Sequence, residues 1–427
     1  MSSNSAQRFF TRGALAPLAN REYRFLLAGF AIGQMLMPLQ FITQILWVQQ
    51  FAPQDIWLIL VALIATCRGI GAMMFGLYGG ALADRYDRKR LLLLILVLQL
   101  VGTVMIAALM YFMNGGVLGF SLFFLLTFLT SGLQSIDAPT RMALLPDVLG
   151  PELTPAGMSL NQVAGQLAMP VAMVSTGIII DQLGFSGAYL CSAIALVVAM
   201  GFIYLMRYQP SETQLLQAGK RYGLGEVFTD VKVGLAYARN HSVIFWLIML
   251  LILMMSFGYP ATASFGPTWV TTVVEVEIRN MGFVVMFWGL GSFVAAIVMT
   301  RLASFERRGA LVAFGAVLFS LSFVVFVSDH TVLNVIIGNF GLGAGMTTTM
   351  VSSTILIQHL APNEVRGRIM SIFQLNMAFA QLMTMPVAFL GQWLTLPVLF
   401  PILSWITLGM VILILLSRPQ VAKASVS

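Results

Sequence analysis

The residue with the most chemical consequence is Arg68, set in the apolar run "LILVALIATCRGIGAMMFG" of residues 58–76. An arginine at the centre of a membrane span costs ~2.5–3.5 kcal/mol on insertion scales, so it must face a cavity or a partner. There it can hold an anionic or polar ligand or relay charge; alternatively it bonds helix carbonyls or a polar neighbour. Amides recur in other apolar runs: Gln34, Gln40 and Gln44, then Asn161, Gln162 and Gln166, then Gln374 and Gln381, seven residues apart on one helical face. Asn339, a further candidate cavity residue, stands among Gly338, Gly341, Gly343 and Gly345, a spacing that suits close helix packing. The second concentration of chemistry is "GLYGGALADRYDRKR", residues 76–90, with six charges in the seven residues from Asp84 to Arg90. Hydrocarbon cannot hold such a segment, which reads as a turn at a membrane surface.

The elements that position these groups are apolar runs of about 20 residues, each enough to cross ~30 Å at 1.5 Å per residue. They fall at 25–48, 57–82, 91–112, 118–140, 157–180, 187–207, 243–266, 281–302, 310–328, 332–356, 369–393 and 398–417. With 59% hydrophobic and 9% charged residues, the chain has too little polar surface for a soluble domain, which carries roughly 25% charge. Continuous rather than alternating apolar runs exclude a transmembrane barrel. The first run is too long for the core of a cleavable signal peptide. Cys67 and Cys191 form neither a disulfide framework nor a metal-ligand spacing and read as small buried side chains. No nucleophile–base pair, metal set or cofactor motif argues for an enzyme.

Numbering the spans in order with the N-terminus inside puts 21 of the 23 Lys and Arg residues in the inside segments. Only Arg68 and Arg279 are left out. This asymmetry predicts an inner-membrane protein with both termini cytoplasmic and an even number of spans. It also accounts for the net charge of +7 without nucleic acid. Arg141 falls in the inside segment after span 4, and of the 16 acids only Asp137 falls within a span.

The divisions expected are a cytoplasmic segment 1–24, a six-helix bundle 25–207, a linker 208–242, a second bundle 243–417 and a tail 418–427. In the linker, Val227, Val231, Leu235 and Ala238 share one face opposite Asp230, Lys232 and Arg239, as in a helix lying on a surface. The halves resemble each other. "LGPELTPAGMSLNQVAGQLAMPVA" (149–172) matches "LAPNEVRGRIMSIFQLNMAFAQLMTMPVA" (360–388), and Gly76-Leu77 recurs as Gly289-Leu290 ahead of the basic turn Arg307-Arg308. A parallel repeat of two six-helix bundles is a transporter architecture, with substrate held between repeats near the midplane. The fold class is an all-α polytopic membrane protein of twelve transmembrane helices in two pseudo-symmetric six-helix bundles.

"GGALADRYDRKR" resembles the loop between helices 2 and 3 of the major facilitator superfamily, G-x-x-x-D-R-x-G-R-R/K, at Gly80, Asp84, Arg85, Arg88 and Lys89, with Asp87 where glycine is commoner. "DAPTRMALLPDVL", "GLAYARNHSVI" and "NEVRGRIMSIF" are similar to the branch of the enterobactin exporter and the drug/proton antiporters. The resemblance implies a cytoplasmic latch: Asp84 against the N-terminal end of helix 11, here near Arg368–Ile369, and Arg88 against an acid at the end of helix 4, for which Asp137 matches, with Arg141 one turn on. Without it, the loop charges would serve only to anchor topology.

The resemblance also places helices 1, 5, 7 and 11 around the cavity, which makes Gln34, Gln40, Gln44, Gln162, Gln166, Gln374 and Gln381 candidate ligand contacts; interhelical hydrogen bonding is the alternative. The family's helix-5 glycines are replaced in Met169-Pro170-Val171-Ala172-Met173, and no carboxylate stands in the central part of a span, which weakens the case for proton coupling. The expected function is export of a small amphipathic molecule, a drug or siderophore-like metabolite, by rocker-switch alternating access, with protons as the coupling partner and the chain acting as a monomer. The alternatives are an importer or facilitator of a polar or anionic solute using Arg68, and a non-transporting sensor or scaffold.

Overall fold

In hydrocarbon every backbone N–H and C=O must be satisfied within the segment, and the apolar runs accordingly form helices. The computed structural model describes residues 15–113, 115–207, 234–302 and 304–426. The side chains of residues 77–81, 83–85, 363, 364, 371 and 374 lie outside the described set. Ten helices among the described residues are long and apolar enough to cross a membrane. One of them, Gly116–Leu205, is broken by the left-handed backbone of Gly150 (φ 74°) and Gly184 (φ 69°), where a side chain would be strained. Counting its three parts separately gives twelve.

In chain order these are α1 (Arg21–Phe51), α2 (Trp57–Arg85), α3 (Arg88–Phe112), α4 to α6 (116–149, 151–183 and 185–205), α7 (Ser242–Tyr259), α8 (Ile278–Arg301), α9 (Arg308–Val327), α10 (Val332–Leu360), α11 (Asn363–Trp393) and α12 (Leu396–Ser417). Two boundaries differ from the sequence expectation in ways that matter. Helix α4 continues past residue 140 to Gly150, so Arg141 is a buried helical residue and not part of a loop. Helix α11 begins at Asn363, not near Arg368. Pro362 holds its N-cap position, where the missing N–H costs nothing, and this moves the positive end of the helix about a turn earlier.

The chain forms two compact units, Met1–Thr43 with Ile70–Tyr222, and Gln44–Gly69 with Gly223–Ser427. In the first, Tyr23, Leu26, Leu92, Leu96, Leu144, Leu145, Leu196 and Ile203 form one buried cluster drawn from α1, α3, α4 and α6. In the second, α10 packs on α8 and α9, and α7 on α11. Gly338, Gly343 and Gly345 lie so close to the backbone of α8 or α9 that a Cβ would not fit. The glycines around Asn339 therefore serve packing. Asn339 is itself buried, and its amide donates to the Val284 carbonyl at 3.4 Å.

Helix α7 ends in a wide turn at Pro260–Ser264, followed by a short helix Gly266–Thr272. Pro260 lacks an N–H and cannot continue the α-helical ladder, and a π-turn absorbs the defect. Residues 227, 230, 231 and 232 of the expected surface helix lie outside the described residues; 234–240 are helical, with Ala238 buried but Leu235 exposed. Cys67 and Cys191 are free and half-buried, not enclosed.

Candidate substrate and latch sites

Two polar constellations stand out, one in each unit. In the second unit Arg68 lies near the middle of the 29-residue helix α2 and is 8% exposed. Its guanidinium is near enough to the Tyr259 hydroxyl to act on it electrostatically. That hydroxyl shares side-chain hydrogen bonds with Gln381 of α11 and with Ser264 of the π-turn. Ser264 in turn meets Thr384 of α11 hydroxyl to hydroxyl at 3.2 Å.

Gly69 permits the approach of α11, since a Cβ there would sit 3.0 Å from the Gln381 Cβ. The result is a polar string of one cation, one phenol, one amide and two hydroxyls, drawn from three apolar helices and the π-turn. Such a group can hold a carboxylate, a carbonyl or a hydroxylated ligand, with Arg68 supplying charge and the others direction. Sequence reading finds Arg68 and Gln381 but not Tyr259, Ser264 or Thr384. The signal available was Pro260, with Gly266-Pro267 after it, which marks an irregular segment inside a span.

In the first unit the charges after α2 are sorted by role. Asp87 caps α3 by accepting from the Arg90 backbone N–H at 3.0 Å. Lys89 donates to the carbonyls of Tyr204 (2.9 Å) and Met206 (2.6 Å), the uncapped end of α6. Arg90 has an 89% exposed side chain.

Arg88 donates to the Asp147 carboxylate at 2.7 Å and to the Ala143 carbonyl at 2.9 Å. This corrects the expected pairing of Arg88 with Asp137. Because α4 runs on to Gly150, its terminal acid is Asp147, ten residues and about 15 Å further along the helix. Asp137 instead pairs with Arg141 at 2.7 Å, the expected one-turn contact. Asp84 and Arg85, with Gly80, lie in the helical part of α2, but their side chains and surroundings fall outside the described residues, as does the Gln374 side chain.

The remaining amides divide. Gln40 donates to the Thr103 hydroxyl at 3.4 Å, an interhelical bond between α1 and α3. Asn161 accepts from the Tyr23 hydroxyl at 3.2 Å and is likewise a packing residue. Gln44 is buried; Gln34 and Gln166 are half-buried and Gln162 exposed. Gln34 packs near Gly165, where a Cβ would meet its Cγ at 3.6 Å. Of the candidate amides, the structure brings Gln381 together with Arg68.

Comparison with known proteins bears on the family and the fold. The family profile described as Major Facilitator Superfamily matches residues 25–385. The chain is 20% identical over 320 residues to the "Staphyloferrin A transporter" of Staphylococcus aureus, covering 74% of this chain and 77% of that protein. It is 30% identical over 103 residues to the "Hexose transporter HXT13" of Saccharomyces cerevisiae, which covers 23% of this chain and 18% of that protein. Among solved structures, a mutant of the nucleoside transporter NupG superposes with a TM-score of 0.75 at 11% identity, over 94% of this chain and 100% of that one. A POT family transporter in complex with 5-aminolevulinic acid gives 0.70 at 14% identity, over 94% and 97%. At such identities the structural likeness speaks to the fold alone.

Proposed function

We propose, from the premise that the chain belongs to the Major Facilitator Superfamily and is a multi-pass membrane transporter, that it is a secondary active exporter of a small amphipathic molecule, a drug or siderophore-like metabolite. It works by alternating access in the inner membrane with both termini cytoplasmic, and protons drive it. The observation that carries the reading is the polar string Arg68–Tyr259–Gln381–Ser264–Thr384 within apolar helices. The cost of burying an arginine at mid-span is offset by polar partners, and the same partners suit a ligand with both polar and apolar parts. The relative named as a Staphyloferrin A transporter supports a small-molecule cargo.

The loop after α2 acts as the cytoplasmic latch. Arg88 fastens α3 to the end of α4 through Asp147, and Asp84 serves the N-terminal end of α11, which begins at Asn363. The latch contacts exist in one of two states and so bias the equilibrium between them.

The test is transport into everted vesicles under an imposed pH gradient, with ethidium and a siderophore as cargo. Gradient-driven accumulation is the expected result; flux indifferent to the gradient overturns proton coupling. Arg68→Ala is expected to abolish accumulation in a protein that still inserts and melts cooperatively, whereas normal flux would make Arg68 a packing residue. Asp84→Asn is expected to shift cysteine labelling toward the inward-open state, and unchanged labelling would remove the latch. Arg68 itself favours a second reading, import or facilitated passage of an anionic solute, which gradient-independent anion flux would establish.

A further inference from the structure

A cavity that shares no lining residue with the Arg68 string lies wholly within the second unit, with a volume of about 470 Å³. That is within the ~300–1,000 Å³ range of small-molecule pockets. It forms where the α1–α2 turn meets the end of the short helix Gly266–Thr272 and the turn between α11 and α12. Trp57, Leu58 and Leu396 supply apolar walls, and Asp55, Thr272 and Gln392 supply polar ones. The Gln392 amide N–H donates to the Asp55 backbone carbonyl at 2.8 Å, tying the α1–α2 turn to the end of α11.

The formal charge of this lining is of one sign. One amide N–H of Gln392 donates to the Asp55 carbonyl, leaving the second N–H and the amide oxygen. The Thr272 hydroxyl donates to the Thr268 carbonyl at 2.7 Å, leaving oxygen lone pairs. Asp55 is exposed and is the one charged residue of the lining, which includes no Lys, Arg or His among the described residues. The groups on offer are one carboxylate and several neutral donors and acceptors, beside the Trp57 indole, a ring type whose face attracts cations. A ligand that matches them brings a positive charge and an apolar body.

We infer that this cavity binds an amphipathic ammonium compound, its amine on Asp55 and its apolar part against Trp57, at a site distinct from the Arg68 string. In the proposed topology the cavity opens on the outer face, together with the acidic segment that holds Glu275 and Glu277. Only this sidedness rests on that reading; binding does not. A cation held there meets released or returning cargo before it reaches the spans.

The experiment uses the full chain in nanodiscs, where both faces are accessible, and calorimetric titration with 2-phenylethylammonium and with 3-phenylpropionate, a probe of similar size and opposite charge. The ammonium is expected to bind and the carboxylate not. Asp55→Asn weakens ammonium binding roughly three- to fivefold, as loss of an exposed ion pair allows. Trp57→Leu weakens it by a similar factor. Gln54→Glu, at a neighbouring lining residue, tightens it, a gain that misfolding cannot produce. Equal binding of the two probes, or an affinity indifferent to both carboxylate changes, overturns the inference.

Arg68→Ala, which the proposed transport role requires to abolish flux, leaves ammonium binding intact. If it removes binding, the probe sits at the Arg68 string and the second site falls. A Gln54→Cys variant is expected to react with a membrane-impermeant maleimide outside intact cells. Labelling from the inside alone reverses the sidedness, while the binding result still stands or falls by itself.

Discussion

The turn between α2 and α3 and the turn between α8 and α9 are both basic, yet they are fastened by different means. After α2 the fastening is by charged side chains: Arg88 to Asp147 and the Ala143 carbonyl, and Lys89 to the open end of α6. After α8 it is by backbone. The tail beyond α12 runs back over this turn, where the Gly309 N–H donates to the Ala424 carbonyl at 2.8 Å and the Val426 N–H to the Glu306 carbonyl at 3.0 Å. Val421 is fully buried between them, and Gly309 lies so close to the Val421 carbonyl that no side chain would fit. Arg418 stacks on Trp246 of α7, 4.9 Å from the ring centroid. A charged fastening can be exchanged for other partners when helices move, whereas a buried backbone strap holds one arrangement. The first turn is thus suited to a switch and the second to a fixed frame.

Five variants, one of them a truncation, sharpen this contrast. Arg88→Ala removes the cation 2.7 Å from the Asp147 carboxylate, whose side chain is 7% exposed. Breaking a buried pair from one side costs about 3 kcal/mol, and thermal unfolding in detergent should show it. The double variant Arg88→Gln with Asp147→Asn should recover much of that loss; no recovery would mean the pair is not the source.

Ending the chain after Arg418 removes two backbone hydrogen bonds and the buried Val421, for a loss of about 2–3 kcal/mol. If the tail is a static strap, its removal lowers the melting temperature without shifting cysteine labelling between conformations. A labelling shift as large as that expected for Asp84→Asn would erase the distinction between the two turns. Lys89→Met removes the cation at the end of α6 and is expected to cost about 1 kcal/mol. Arg90→Ala, at an exposed side chain, should leave the melting curve unchanged, and a measurable loss there would show that the whole charge run is structural.

Much of this was legible in one dimension. Span number follows from hydropathy and length, and the two glycines that divide the 116–205 run stand at the expected turns. Arg68 was conspicuous because its charge has no place in its stretch. Other features were not legible, for definite reasons. Asp137 and Asp147 are both acids near the end of α4, and choosing between them needs the true helix end, which Arg141 obscures by placing a charge where a loop was expected. Gln40 and Gln381 are alike in sequence. Only the neighbours, Thr103 for one and Tyr259 beside Arg68 for the other, separate a packing bond from a candidate ligand group. The start of α11 was misplaced because an apolar window cannot see a polar first turn, although Pro362 marked it.

By itself the sequence determined that the chain lives in a membrane, how many times it can cross, and where charge cannot stay, because transfer from water to hydrocarbon is a property of composition along a segment. Tertiary structure alone decided which carboxylate meets Arg88, that the tail closes the second basic turn, and that Tyr259, Gln381, Ser264 and Thr384 gather at Arg68. Each residue advances a helix by about 100°, so a small error in a helix end turns a side chain from one neighbour to another. Which groups meet is therefore settled by packing.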